Sequence, residues 1–557
     1  MNRNTELHFG QVPKIHQNRS KFDMSHSIKT ALNAGECIPV FVDSDILPGD
    51  SVEMNMAEII RMATPIYPVM DNLVCDLYWF FVPHRLTWDH WPAFWGENDD
   101  PWTQTTEYEI PQIEAPTGGW AEGTIADYMG IPTYVDNFTV NALPFRAYAK
   151  VWSDWFRSEN LKSCSHYYTD DTTRTGSNGT NYVLDPELGG MPAPAAKLHD
   201  YFTSSLPSPQ KGQPVGIPLG LNAPVITGDA RTWDSTDPQK PLNLKIAGTG
   251  QGTTTIRPLG VGTDSDLISV SGGIPSEENK WTPSNLYADL SNAYGATISQ
   301  LRTAFAIQKY YEAAGRNGTR YIEYLRSVFG VESSDARLQR SEYLGGQRFQ
   351  INMDQVLQTS STDATSPQGN TAGFSCTNNR GKMFFKSFEE HGTLMCIAVI
   401  RIAGHTYQQG LNRMWTRKKW LDFYNPYFAN LSEQGITNDQ IYLQGSTVVD
   451  ADGNVVDKQV FGYQEAWAEY RYKQNTVTAE MRSNAPNGSL DAWHYADDYS
   501  QLPTLGSDWI DEGKANIDRT IAVTSALAHQ FIGDFYFNCY YTRCMPVYSV
   551  PGLIDHV

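Results

Sequence analysis

Charge is what this 557-residue chain has little of: Asp, Glu, Lys and Arg together supply 19% of its residues, against about 25% in an average soluble protein. With 40% apolar residues, such a chain can bury a sizeable core and still present a weakly charged surface, which suits broad contact with other proteins. The charge it does carry sums to −20, which excludes a nucleic-acid coat spread over the whole surface and confines any such contact to local patches. The seven cysteines, Cys37, Cys75, Cys164, Cys376, Cys396, Cys539 and Cys544, form no CxxC pair. An odd, irregularly spaced set argues against a disulfide framework or a zinc site and for reduced thiols. No run approaches 18 uninterrupted apolar residues and no charged-then-apolar leader opens the chain. The expectation is therefore a product of a cytoplasm, with no membrane insertion.

Catalytic signatures are missing too. There is no HExxH, GxSxG or P-loop, which removes the common zinc-protease, hydrolase and nucleotide-hydrolysing classes. Gly248, Gly250 and Gly252 imitate a dinucleotide loop, but the third glycine comes one position early and a Thr-rich strand follows where a helix should open. Asp450, Asp452 and Gly453 imitate a calcium loop, but that glycine is fourth rather than sixth and no twelfth-position glutamate follows, so a hairpin turn is expected. The twelve histidines are scattered. Glu389-Glu390 and Asp497-Asp498 are read as solvated turn residues, because neighbours along a strand point apart. No catalytic residue, cofactor or metal is expected.

Aromatic residues are abundant: 30 Tyr, 15 Trp and 23 Phe, the side chains that give interfaces large area at little rotamer entropy. Residues 1–35 hold Arg3, Lys14, Arg19, Lys21 and Lys29 against Glu6 and Asp23 without an apolar period, and read as a weakly basic arm. From Gly35 onwards the texture changes to apolar runs cut by turns. "ECIPVFVDSDILPGDSVEM", "NLVCDLYWFFVPHRL", "LMCIAVIRIAG" and "DFYFNCYYTRCMPVYSV" read as long strands. Strands at both ends of the chain must pair across it, a high contact order typical of an all-β sandwich. Between them, "LPFRAYAKVWSDWFRSEN" places Phe145, Tyr148, Val151 and Trp152 at helical spacing behind Pro144. Two further helices are expected, from Thr297 to about Gly315 and from Thr319 to Gly330. Residues 221–282, rich in Gly, Pro, Thr and Ser, read as a surface excursion of small hairpins.

Two stretches bear on contact. "RMWTRKKW" sets Arg413, Arg417, Lys418 and Lys419 beside Trp415 and Trp420, the mixture that binds single-stranded nucleic acid; the competing reading is two core tryptophans with a solvated basic face. The chain ends on "CMPVYSVPGLIDHV", where chain ends are usually polar and frayed. Val547, Tyr548, Val550, Leu553 and Ile554 are the candidate subunit contact.

Several passages together resemble the major capsid proteins of microviruses, in particular the gokushovirus-like branch of bacteriophages. They are "DILPGDSVEMN", "DLYWFFVPHRLTWDHWPAFWGE", "DWFRSENL", "KLHDYFTSSLPSPQKGQPVGIPLG", "LRTAFAIQKYYEAAGRNGTRYIEYLRSVFGV", "DARLQRSEYLGGQRFQIN", "FGYQEAWAEYRYKQNTVTAEMRS" and "YSVPGLIDH", in matching order from about residue 36 to the end. The resemblance implies a mainly β chain: an eight-stranded antiparallel jelly roll of viral capsid type with long helix-containing loop insertions, built from 36–220 and 283–557. It implies that 221–282 is a variable insertion rising as a protrusion at the threefold axes, with possible contact to the bacterial surface. It also implies a T=1 icosahedral shell of on the order of sixty copies around circular single-stranded DNA, assembled in the bacterial cytoplasm with scaffolding and DNA-pilot proteins, and a host receptor outside. On that reading the DNA contacts would be Arg3, Lys14, Arg19 and Lys21 of the arm, with Arg413, Arg417, Lys418 and Lys419. Two other classes fit the composition: an adhesin-like β protein, and a carbohydrate-active sandwich enzyme, which would need two carboxylates facing across a cleft.

Overall fold

The computed structural model describes residues 18–97, 107–216, 298–318, 320–359, 368–369 and 371–548 in full, with the backbone alone of six short strands between positions 225 and 288. The chain divides into two compact units: Met1–Pro209 with Gly315–Val557, and Gln210–Ala314.

Nine described strands carry the framework of the larger unit: β1 (Ser20–Asp23), β2 (His26–Leu32), β3 (Ile38–Ile46), β4 (Ser51–Met62), β5 (Leu73–Pro83), β6 (Glu342–Ile351), β7 (Thr377–Ser387), β8 (Gly392–Ile402) and β9 (Phe531–Arg543). They form two antiparallel sheets. In the first, β9 lies between β4 and an edge shared by β1 and β2, and β7 pairs with the far side of β4. The second runs β6-β5-β8-β3. Both sheets join strands from distant parts of the chain, as a viral capsid jelly roll does. The two ends meet directly: His26 opposes Phe537 and Leu32 opposes Phe531. Residues 20–32, read from sequence as part of a weakly basic arm without an apolar period, are thus edge strands of the framework.

The periodicity of each strand follows from what covers it. β4 alternates, with Val52, Met54, Met56, Ile60 and Met62 buried and Ser51, Glu53, Asn55, Ile59 and Arg61 turned away, so one face meets the core and the other is open. Glu58 also points inwards, bonded to Asn379, and burial pushes its carboxyl up to about 7. β8 is buried at nearly every position because its sheet is covered on both faces, hence the unbroken "LMCIAVI". Between the sheets, Trp79 touches Phe41, Phe384 and Phe537 at ring-centroid distances of 5.0, 5.4 and 5.9 Å. Each such buried side chain favours folding by about 2 kcal/mol. Against the outer face of the second sheet lies α1 (Leu143–Val151), with Pro144 in its first turn and Trp152–Phe156 continuing it as a wider π-helical turn. Tyr148 and Trp152 pack there with Phe80, Val82, Met395 and Ile397. The Tyr148 hydroxyl donates to Cys37 O at 2.6 Å and accepts from Ala193 N at 3.0 Å. At the crossing from β2 to β3, Gly35 takes φ +75°, and a Cβ there would sit 2.1 Å from Glu512 O, so only glycine fits.

The excursions are long. Between β5 and β6 come α1, the smaller unit and the helix α3 (Tyr321–Phe329), ended by Gly330 at φ 66°. Between β8 and β9 a further core gathers Tyr407, Ile436, Ile441 and Phe461 around Phe202, which comes from the excursion between β5 and β6. The smaller unit holds most of α2 (Ile298–Arg316) and short antiparallel pairings, in which Asn243–Ile246 lies between Thr255–Val261 and Trp281–Pro283. Among the described residues no helix is long and apolar enough to cross a membrane.

Candidate functional site

The outward face of the first sheet is built row by row from strand register. Ser27, Tyr536, Ala57 and Arg380 oppose one another across β2, β9, β4 and β7. One row along the sheet come Asn538, Asn55 and Lys382; on the other side come Lys29, Asp534, Ile59 and Asn378. Ala31, Ile532 and Arg61 make the next row, and towards the opposite end stand Asp23, Tyr540, Glu53 and Phe385. With Arg19 and Lys21 at that end, the face carries Arg19, Lys21, Lys29, Arg61, Arg380 and Lys382 against Asp23, Glu53 and Asp534, six cations to three carboxylates. Lys21 lies 4.0 Å from Glu53 and Lys29 3.6 Å from Asp534. Arg61, Arg380 and Lys382 are exposed and form no ion pair among the described residues. Large apolar groups share the face, with Ile532 62% and Phe385 63% exposed.

The cations singled out in the sequence are distributed unevenly over the chain. Arg3 and Lys14 lie outside the described residues. Arg19 donates to Gly49 O, to Ser51 Oγ at 3.0 Å and to Thr542 O at 3.1 Å, which ties it to the rim of the first sheet. Lys21 sits 4.1 Å over the Tyr540 ring. Arg413 and Arg417 both reach Glu469, at 3.6 and 3.3 Å, and Arg417 stacks 4.3 Å over Tyr470. Lys418 and Lys419 are exposed, and their backbone N–H groups both donate to Asp422. Trp415 and Trp420 are each 70% exposed, so they are not core tryptophans; with Phe423, Tyr424 and Tyr427 they form an exposed aromatic shelf. Of the terminal candidates Val547 and Tyr548 are exposed, while Val550, Leu553 and Ile554 lie outside the described residues.

A buried charge cluster escaped the sequence reading. His405 bridges two carboxylates, Nδ1 to Asp497 Oδ2 at 2.9 Å and Nε2 to Glu512 Oε2 at 3.0 Å. Burial alone would push the imidazole down, but Glu512 and Asp497 overcome it and hold its pKa up to about 10. Asp497 is therefore not a solvated turn residue, and its other oxygen accepts from Asn516 at 2.8 Å. The partners lie 92 and 107 positions from His405, beyond any local motif. Both ring nitrogens are engaged, and no group of three metal-ligating side chains occurs among the described residues.

A cavity of about 550 Å³ in the larger unit is flanked by Tyr78, Trp155, Arg157, Glu159, Arg320 and Glu323. Its two carboxylates converge on one guanidinium, Arg320 Nη1 lying 2.7 Å from Glu159 and 3.4 Å from Glu323. Burial and the neighbouring Glu159 raise the pKa of Glu323. Carboxylates in contact leave no room for the glycosidic bond and water that a glycosidase must hold between them.

Comparison with known proteins identifies the family. Residues 10–553 match the phage family described as capsid protein (F protein). The chain is 43% identical to capsid protein VP1 of Spiroplasma virus 4, over 99% of this chain and 98% of that one. It is 41% identical to capsid protein VP1 of Bdellovibrio phage phiMH2K, over 99% and 98%, and 38% identical to capsid protein VP1 of Chlamydia phage 1, over 98% and 97%.

Proposed function

The chain belongs to the phage capsid protein (F protein) family, a structural and non-enzymatic class that builds the shell of the virion, and from that premise we propose how it is used. It is the major capsid protein of a small phage, assembling into a closed T=1 icosahedral shell of on the order of sixty copies around a circular single-stranded DNA genome. The observation that carries this reading is the match along almost the whole chain to three phage capsid proteins, supported by two antiparallel sheets, the first of which pairs strands from both ends of the chain.

Assembly takes place in the bacterial cytoplasm, with an internal scaffolding protein and a DNA-pilot protein as partners. Residues 1–35 lie towards the interior, where Arg3, Lys14, Arg19 and Lys21 meet phosphates in a salt-dependent, sequence-blind way, as do the exposed Lys418 and Lys419 beside Trp415 and Trp420. Arg413 and Arg417, both held by Glu469, contribute less. Residues 221–282, within the smaller unit, form the variable protrusion that touches the host surface.

Sedimentation and negative-stain microscopy of the chain made in infected or co-expressing cells test this. The expected result is closed isometric particles made mainly of this chain, whose nuclease-protected content is single-stranded DNA. A monomer or small oligomer that persists with the scaffolding partner present would reject it.

A further inference from the structure

We propose that the open face of the first sheet is the platform on which single-stranded nucleic acid lies, with phosphates at Arg61, Arg380 and Lys382 and a base stacked on Tyr536. This rests on the reading of the chain as a shell around single-stranded DNA, and it says where on each subunit the strand runs.

Charge complementarity carries the argument. A chain of net charge −20 turns six cations and three carboxylates to one sheet face. Two of those carboxylates already face Lys21 and Lys29, and the Arg19 guanidinium is engaged by Gly49 O, Ser51 Oγ and Thr542 O, which leaves Arg61, Arg380 and Lys382 as the cations open to an incoming polyanion. On the aromatic shelf the reverse holds, since Glu469 engages both arginines. The row Tyr536, Ala57, Arg380 supplies a ring, then a methyl-sized neighbour, then a guanidinium. A base over the half-exposed Tyr536 has room above Ala57, and its phosphate falls towards Arg380. Stacking on aromatics beside backbone-tracking cations is how single strands are held without sequence preference. β9 has 13 residues, and a strand of that length offers about 40 Å of track. The amides of Asn55, Asn378 and Asn538 share the face and add hydrogen-bonding groups without charge.

The test is binding of a fluorescein-labelled oligothymidylate to the purified full-length chain, followed by anisotropy across a salt series. The triple variant Arg61→Gln, Arg380→Gln, Lys382→Gln should flatten the slope of log K against log salt by about 2, since each lost phosphate contact removes roughly 0.7. Tyr536→Leu, which keeps the surface apolar, should weaken binding by about tenfold while leaving the slope unchanged. Melting curves identify any variant that has lost its fold, in which case the single Lys382→Gln is read instead, with a slope change of about 0.7. Unchanged affinity and slope in both variants overturns the proposal. So does loss of assembly with unchanged oligonucleotide binding, which would assign the face to a second copy of the chain. The nucleic acid extracted from nuclease-treated wild-type particles separates the two readings: single-stranded DNA there, with oligonucleotide binding indifferent to the variants, leaves the shell reading standing and removes only the sheet face, whereas particles without it remove the parent reading.

Discussion

His405 shows how one side chain can tie distant segments together through charge. It is 5% exposed, as is Asp497, and Glu512 is 4% exposed, so the imidazolium and its two carboxylates stand where an unpaired ion would be costly. Its pKa of about 10 in the fold stands above 6.5, its ordinary value. A base whose folded pKa is raised lends its full stability below the unfolded value and loses it as pH rises through the folded one. Denaturant unfolding of the unassembled chain should therefore show stability falling between pH 6.5 and 10 by a few kcal/mol more than in His405→Gln, which has no such proton to lose. Parallel pH curves for the two proteins would refute the bridge. The same residue shows where local reading of the sequence stops: nothing beside His405 announces carboxylates 92 and 107 positions away, and Asp497 next to Asp498 has the look of a solvent-facing turn.

Elements were legible in the sequence where their own residues determine them. The run in β8 is apolar throughout because both of its faces are covered, and α1 repeats its apolar residues at helical spacing behind Pro144. β2 was not legible. "HSIKTAL" buries fully only Leu32, and the partner that makes it a strand is β9, some 500 positions on; an edge strand takes its order from a neighbour rather than from its own pattern. The sequence left Trp415 and Trp420 open between an exposed surface and the core for a related reason, since an aromatic residue does not reveal whether the chain or a partner covers it. What binds the helical layer to the framework is more specific than apolar contact. Tyr148 joins Cys37 on the way into β3 and Ala193 in the following loop, both fully buried. Tyr148→Phe keeps the ring and leaves a carbonyl and an N–H without this partner, which should cost about 2 kcal/mol. A urea midpoint lowered accordingly, at unchanged slope, is the expected outcome; an unchanged midpoint would show that water or a neighbour replaces the hydroxyl.

At the scale of the whole molecule, scarce charge and abundant aromatics become features of a chain whose outer surfaces are to be covered by copies of itself. The chain's end is the sharpest case. β9 is tied down to its last residue, because Arg543 meets Asp50 at 2.9 Å and donates to Asp45 O at 2.7 Å. Immediately beyond, Met545, Val547 and Tyr548 are 43%, 59% and 80% exposed. The larger unit's own core does not take them in, and an apolar tail left open on an isolated chain is suited to a neighbouring copy. Truncation after Cys544 should therefore leave folding intact, with a melting temperature within a degree or two of the full chain, and abolish closed particles in cells that supply the scaffolding partner. Normal particles from the truncated chain would show that the tail plays no part in closing the shell. A truncated chain that fails to fold would instead place the tail in the core of its own subunit, and Val547→Asp with Tyr548→Asp, which alters only exposed positions, then decides whether assembly alone is lost.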